Sequence, residues 1–353
     1  MQFTPFSSPG IILSYKCSST CRHCLYGCSP HWQGWMTPER LEMLYQAMAS
    51  TGMVRGLHLA GGEAFFNFPL LLEALRLARR YGLPIDYVET NAHWYRGPED
   101  AEAKLTALRD AGLNCLLISC SPLHAEFIPL SSTLGVIRAA RAIFGEQGAF
   151  VWLPEFLTQL RALGVEQTLP FAEYARRAGA VAAREAATYG GQLIPAGRAP
   201  YALAEYLPQQ PVEACCTSSC ARQLLAGAHG HYDLYGHILP CAGLSLGDFV
   251  DLPKLTAQEI LAQRPLIRLL VEEGVRSLLA YAVARYAYPT QTHYAGPCHL
   301  CMDIRRHLVT LGAPYAELAP RQLYQDLTHT DGDTGPTKAD GTACTATPLA
   351  SPG

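Results

Sequence analysis

Short apolar runs alternate with amphipathic segments through the first two hundred residues, and this alternation leaves few folds open. The runs are 11–15, 56–59, 85–88, 115–119, 150–153 and 192–194. Between them, residues 37–50, 70–81, 101–112, 133–144 and 170–178 carry apolar side chains at helical spacing. Strand-length runs separated by helix-length segments read as parallel βα units, because parallel strands need a long crossover. Six such units predict an α/β fold, a partial (β/α)6 barrel of TIM type. In barrels the reactive groups collect at the C-terminal ends of the strands. Residues with chemical potential follow the runs here: Cys17 the first, Glu63 the second, Asn91 the third, Ser119 the fourth and Arg198 the sixth.

The texture changes after about residue 205. Residues 1–205 are expected to form the barrel unit and 206–328 a cysteine-rich extension with an auxiliary metal site. Within the extension, residues 231–240 read as a hairpin turning at Tyr235-Gly236, and 256–287 as helix with a break near Gly274. Another helix is expected over 301–311, led by the Cys298/Cys301 pair. The segment 329–353 is rich in Thr, Gly, Asp and Pro and is expected to be disordered.

Composition narrows the partners. Lys plus Arg (27) nearly balance Asp plus Glu (30) in 353 residues, so nothing argues for a nucleic-acid partner. No run approaches the length of a membrane helix, and the N-terminal stretch has no apolar signal core. A cytoplasmic protein is expected. In a reducing compartment, 13 cysteines point to metal or redox work rather than to disulfides.

Cys17-x3-Cys21-x2-Cys24 directly follows a strand-like run. Three thiolates on one loop can hold three irons of a four-iron cluster and leave the fourth open to a small molecule. A zinc site is the simpler alternative. The motif, continued by Leu25 and Tyr26 and followed by Gly61-Gly62-Glu63 at the end of the second run, resembles the radical S-adenosylmethionine (SAM) superfamily. The resemblance covers roughly residues 10 to 200. It implies that Cys17, Cys21 and Cys24 ligate a [4Fe–4S] cluster whose open iron chelates SAM. It also implies that Gly61, Gly62 and Glu63 contact the methionine amino group, with Ala64 standing where the family often has Pro. Asn91, Ser119 and Arg198 match positions where such enzymes place polar contacts to SAM or substrate. Each also reads as a turn or capping residue. His124, just past the fourth run, either faces the ligand or is a structural hydrogen-bonder.

Cys28 lies outside the three-ligand spacing and is a nearby thiol, a substrate or metalloid ligand, or a packing residue. The stretch from Arg22 to Pro30 is similar to a loop in radical SAM enzymes that make arsenic-containing amino acids by transferring the 3-amino-3-carboxypropyl group. It departs from them in having His23 where they have Cys and Gly27 where they have Arg.

Cys220, Cys241, Cys298 and Cys301 form a second candidate set, with Cys215 and Cys216 competing with Cys220. The short Cys298-x2-Cys301 pair and a Cys after a hairpin are similar to the SPASM or twitch extension, which implies an auxiliary [4Fe–4S] cluster. Zinc or unliganded thiols remain open. Cys115 and Cys120 read as core.

The resemblance implies reductive cleavage of SAM by an electron from flavodoxin or ferredoxin, and hydrogen abstraction by a 5′-deoxyadenosyl radical. The expected substrate is a small polar metabolite such as a nucleoside, sugar or amino acid in specialised biosynthesis. A ribosomal peptide substrate, 3-amino-3-carboxypropyl transfer and a non-catalytic iron–sulfur or zinc scaffold are the alternatives.

Overall fold

A computed structural model describes residues 2–216 and 219–327. The segment expected to be disordered, 329–353, lies outside the described residues, as does Cys344. Nine strands are described: β1 (Gly10–Ile12), β2 (Leu57–Ala60), β3 (Ile85–Thr90), β4 (Leu116–Ile118), β5 (Ala149–Val151), β6 (Gln210–Pro211), β7 (His231–Asp233), β8 (Ile238–Leu239) and β9 (His293–Tyr294). Seven of them form one sheet in the order β5-β4-β3-β2-β1-β7-β8, and β6 pairs with β9 alone. In the seven-stranded sheet every pairing from β5 across to β7 is parallel and the β7–β8 hairpin is antiparallel, as is the separate β6–β9 pair.

The α/β expectation holds, with one exchange. The run 192–194 is not a strand. It leaves a short 3-10 turn, Tyr189–Gly191, in which Gly190 and Gly191 take positive φ, and Pro195 follows at once. An Ile in this position carried the apolar signal, yet Ile194 is exposed. The sixth parallel strand is β7, which lies beside β1 at the opposite edge from β5. The main sheet therefore straddles residue 205. Among the described residues it is open rather than closed.

Helices cover the outer face. Thr37 caps the helix Pro38–Thr51 by accepting from Arg40 N, and Asn67 caps Phe68–Arg80 by accepting from Leu70 N. Pro98–Asp110 and Leu130–Phe144 follow β3 and β4. Strand residues aimed at these helices, among them Ile11, Leu59, Val88 and Ile118, are fully buried. Alternate residues face the concave side and are larger and more polar: His58, Tyr87, Glu89. The segment 256–287 breaks at Gly274 as expected, and again at Pro265, which opens its own helix (Pro265–Glu272). The last long helix starts earlier than expected, at Pro297, and so carries both Cys298 and Cys301 one turn apart. No helix among the described residues is long and apolar enough to cross a membrane.

The hairpin is locked to β1 by one carboxylate. Asp233 is fully buried. It accepts from the Tyr15 hydroxyl (2.9 Å), from the backbone N–H groups of Tyr235 (3.0 Å) and His237 (2.9 Å), and pairs with His237 Nδ1 (3.0 Å). Asp233→Ala strips the acceptor from several buried donors and should lower unfolding free energy by roughly 2–4 kcal/mol in urea titrations. Asp233→Asn should cost less, and wild-type stability of the Ala variant would show that the hairpin is held by other contacts.

Candidate active site

The Cys17–Cys24 loop is fixed before any side chain is considered. Past the ends of β1 and β2 the two chains go on pairing: Gly62 N donates to Ser14 O (2.8 Å) and Glu63 N to Lys16 O (2.9 Å). A Cβ on Gly61 would lie 2.3 Å from Ser14 O, and one on Gly62 would lie 1.9 Å from Lys16 O. Both residues must therefore be glycine for the segment leading into Cys17 to approach. On the other side, Cys17 N donates to Ser29 O (3.0 Å), closing the loop at its far end.

Cys17, Cys21, Cys24 and Cys28 open onto one cavity of about 110 Å³, shared with Gly61, Gly62, Asn91 and Ser119 at the ends of β2, β3 and β4. Small-molecule sites usually run from about 300 Å³ upward, so a ligand of SAM's size would also use the open concave face below. Asn91 Nδ2 donates to Cys17 Sγ (3.4 Å) and Ser18 Oγ (3.0 Å). Burial pushes the Cys17 thiol up to about 12. The hydrogen bond from the Cys28 thiol brings Cys24 down to about 6, and the same bond, with burial, raises Cys28. Cys28 is thus a capping thiol beside Cys24, within the cavity but outside the three-ligand spacing.

Two expected site residues, Glu63 and Arg198, are engaged by the protein's own groups. Glu63 is fully buried and turned away from the cavity. Its carboxylate accepts from Asn91 N (2.8 Å), Phe65 N (3.2 Å) and Thr90 Oγ1 (3.0 Å). It positions Asn91, which in turn touches Cys17. Arg198 is also fully buried; it donates from Nη1 to Cys21 O (2.7 Å), from Nη2 to Cys28 O (3.1 Å) and from its backbone N–H to Cys24 O (3.0 Å). With both terminal nitrogens committed to the loop's carbonyls, the guanidinium clamps the cysteine loop rather than reaching into the cavity. Thr20 Oγ1, His23 Nδ1 and Arg198 Nε are buried here without partners.

His124 does line the cavity. It pairs with Ser121 Oγ (2.9 Å), meets His23 edge-on, and burial lowers it to about 4. The cavity lining also includes residues that the sequence did not mark as site residues, among them Ser19, His23 and Glu89. Glu89 carries a usable signal, since alternation within β3 puts it on the same face as Tyr87. Burial raises its carboxyl to about 7.

Cys220, Cys241, Cys298 and Cys301 line a second cavity of about 370 Å³. Arg305 lies among them, its Nη1 donating to Ala242 O (2.8 Å). Cys215 and Cys216 do not reach this cavity, which removes them from competition with Cys220. Cys120 is buried, and Cys115 is half-buried beside the backbone of Gln147.

Residues 11–127 match the model of the radical SAM superfamily. Over those residues the chain carries a radical SAM domain, and it is an enzyme. It uses a [4Fe–4S] cluster and SAM. No curated protein matches the chain significantly. Among solved structures it is similar to BtrN in complex with AdoMet and 2-DOIA, at 13% identity over 77% of this chain and 90% of that one, TM-score 0.44. It is also similar to native anSMEcpe with bound AdoMet, at 12% identity over 87% and 98%, TM-score 0.42. A third is Streptococcus suis SuiB bound to S-adenosylmethionine, at 14% identity over 77% and 68%, TM-score 0.37.

Glu63 supplies a test of this geometry. Glu63→Gln turns an amide donor toward backbone N–H groups that need an acceptor, and should cost roughly 1–3 kcal/mol of stability. Burial raises the wild-type carboxyl from 4.5 to about 7. The folded value exceeds the unfolded one, so Glu63 makes stability fall as pH rises through that window. Urea titrations across it should show a flatter slope in the Gln variant. Equal stability and equal slope would place Glu63 outside the network.

Proposed function

We propose that Cys17, Cys21 and Cys24 hold the cluster, that Cys28 stays unliganded beside Cys24, and that SAM lies across Gly61, Gly62, Asn91 and Ser119. The observation that carries this reading is the convergence of three spaced thiols and a glycine pair on one cavity at the C-terminal strand ends. A [4Fe–4S] cluster held by these residues and reduced by a flavodoxin- or ferredoxin-type donor would supply the electron for reductive cleavage of SAM and, through it, 5′-deoxyadenosyl radical chemistry on the substrate. The chain's own contribution is placement. Asn91 supports the Cys17 sulfur, Glu63 fixes Asn91, and Arg198 holds the loop carbonyls. The aromatic and carboxylate side chains of the concave face orient a small polar substrate and limit water. A nucleoside, sugar or amino acid suits a face that pairs Tyr87 with Glu89.

In this reading residues 1–205 carry the SAM site and 206–328 an auxiliary [4Fe–4S] cluster on Cys220, Cys241, Cys298 and Cys301. That these four thiols line one cavity of about 370 Å³ supports a shared metal site.

Anaerobic incubation with dithionite and SAM, followed by mass spectrometry, should yield 5′-deoxyadenosine from the wild type and none from the triple Cys17/Cys21/Cys24→Ala protein. Methylthioadenosine instead would redirect the reading to 3-amino-3-carboxypropyl transfer, and wild-type cleavage by the triple variant would overturn the ligand assignment. Iron analysis should give about eight irons per wild-type chain and about four in the triple variant. One zinc and no iron in the triple variant would make the second site a zinc site.

A further inference from the structure

Three histidines and a glutamate meet on the concave face of the sheet, between the two cysteine sets: Glu89 lines the cavity of the first, and His229 and His231 line that of the second. Gly10 of β1 is in register with His58 of β2 on one side and His231 of β7 on the other. Partners in register face the same way, and His229, two residues before His231, shares that face. Glu89 joins it through Tyr87, which is paired with His58. Gly10 is what lets the rings converge. A Cβ there would lie 2.5 Å from both His58 Nε2 and His231 Nε2.

One ring nitrogen from each of His58, His229 and His231 lies within 4.8 Å of those from the other two. Packing alone asks nothing of where ring nitrogens point. In His229 and His231 the remaining nitrogen is also held as in metal-binding imidazoles, by an outer partner on the opposite side of the ring. His229 Nδ1 faces the Ser8 carbonyl (2.7 Å), an acceptor only, so that nitrogen carries the proton and Nε2 is free to ligate. His231 Nδ1 pairs with the Tyr26 hydroxyl (2.7 Å). Glu89 Oε1 stands 3.6 Å from His58 Nε2.

We infer that His58, His229 and His231, with Glu89 as fourth ligand, form a binding site for a divalent transition metal of the zinc class in the floor of the concave face. Tetrahedral zinc with bonds of about 2.0–2.1 Å holds ligand nitrogens about 3.4 Å apart, so closing the site needs only small ring movements. Imidazole and carboxylate are zinc ligands, whereas the thiol sets suit iron–sulfur chemistry. The site faces the cavity lined by Cys220 and Cys241, which His229 and His231 also line. It depends on none of the assignments made for SAM.

The test uses the full chain with its iron–sulfur clusters reconstituted anaerobically, then given Zn2+ and desalted. Elemental analysis should find about one zinc per chain. Zinc-edge X-ray absorption should show nitrogen and oxygen neighbours at about 2.0 Å with no sulfur shell. His229→Gln alters an exposed side chain at little risk to folding; it should weaken zinc binding at least tenfold while iron content stays unchanged. Gly10→Ala, which fills the gap between the rings, should also lose zinc. A wild type that retains no zinc, a zinc with a sulfur-only shell, or a His229→Gln protein that binds zinc as well as wild type would each overturn the proposal.

Discussion

Everything at the candidate site depends on a few backbone hydrogen bonds that carry β1 and β2 beyond their formal ends. Gly62 and Glu63 donate to Ser14 and Lys16, and Cys17 and Ser29 close the loop behind them. These contacts work only because residues 61 and 62 have no Cβ. The glycine pair of a Gly-Gly-Glu segment is commonly read as room for a ligand. Here it is also room for the chain's own backbone, and the loop bearing three thiols takes its shape from that approach. Arg198, far along the chain, grips the same loop through two carbonyls and replaces flexibility with a fixed frame.

Layering follows. The carboxylate of Glu63 accepts from Asn91 N, Phe65 N and Thr90 Oγ1; Asn91 relays its position to the Cys17 sulfur. On the opposite side of β1, Asp233 ties the hairpin to Tyr15. Cys241 comes just after that hairpin, so the second thiol set is referenced to the same strand as the first. A single short strand, β1, thus orders the cysteine loop, the hairpin and, through Gly10, the histidine group.

The sequence made the five β-strands from β1 to β5 legible, because each combines an apolar run with a flanking amphipathic helix. It misplaced the sixth. An Ile after two glycines looked like a strand start, while the true partner, β7, is a three-residue strand whose His-Tyr-Asp pattern has little apolar signal. The thiol sets were legible from spacing and from the hairpin turn at Gly236. The orientations of Glu63 and Arg198 were not, since spacing says that a charged residue ends a strand but not which way it turns. Glu89 and the three histidines were hidden for a related reason. They are brought together by register between strands distant in sequence, and register is set by pairing rather than by local pattern.

The central claim is that the three-cysteine loop holds a cluster with one iron open to SAM. The most direct measurement is electron–nuclear resonance on the reduced, reconstituted enzyme, with SAM isotopically labelled at its amino nitrogen. The account predicts that SAM alters the cluster's paramagnetic spectrum, that the label couples to it, and that both effects vanish in the triple Cys17/Cys21/Cys24→Ala protein. A cluster bound at these cysteines whose spectrum ignores SAM, with no coupling to the label, would contradict it.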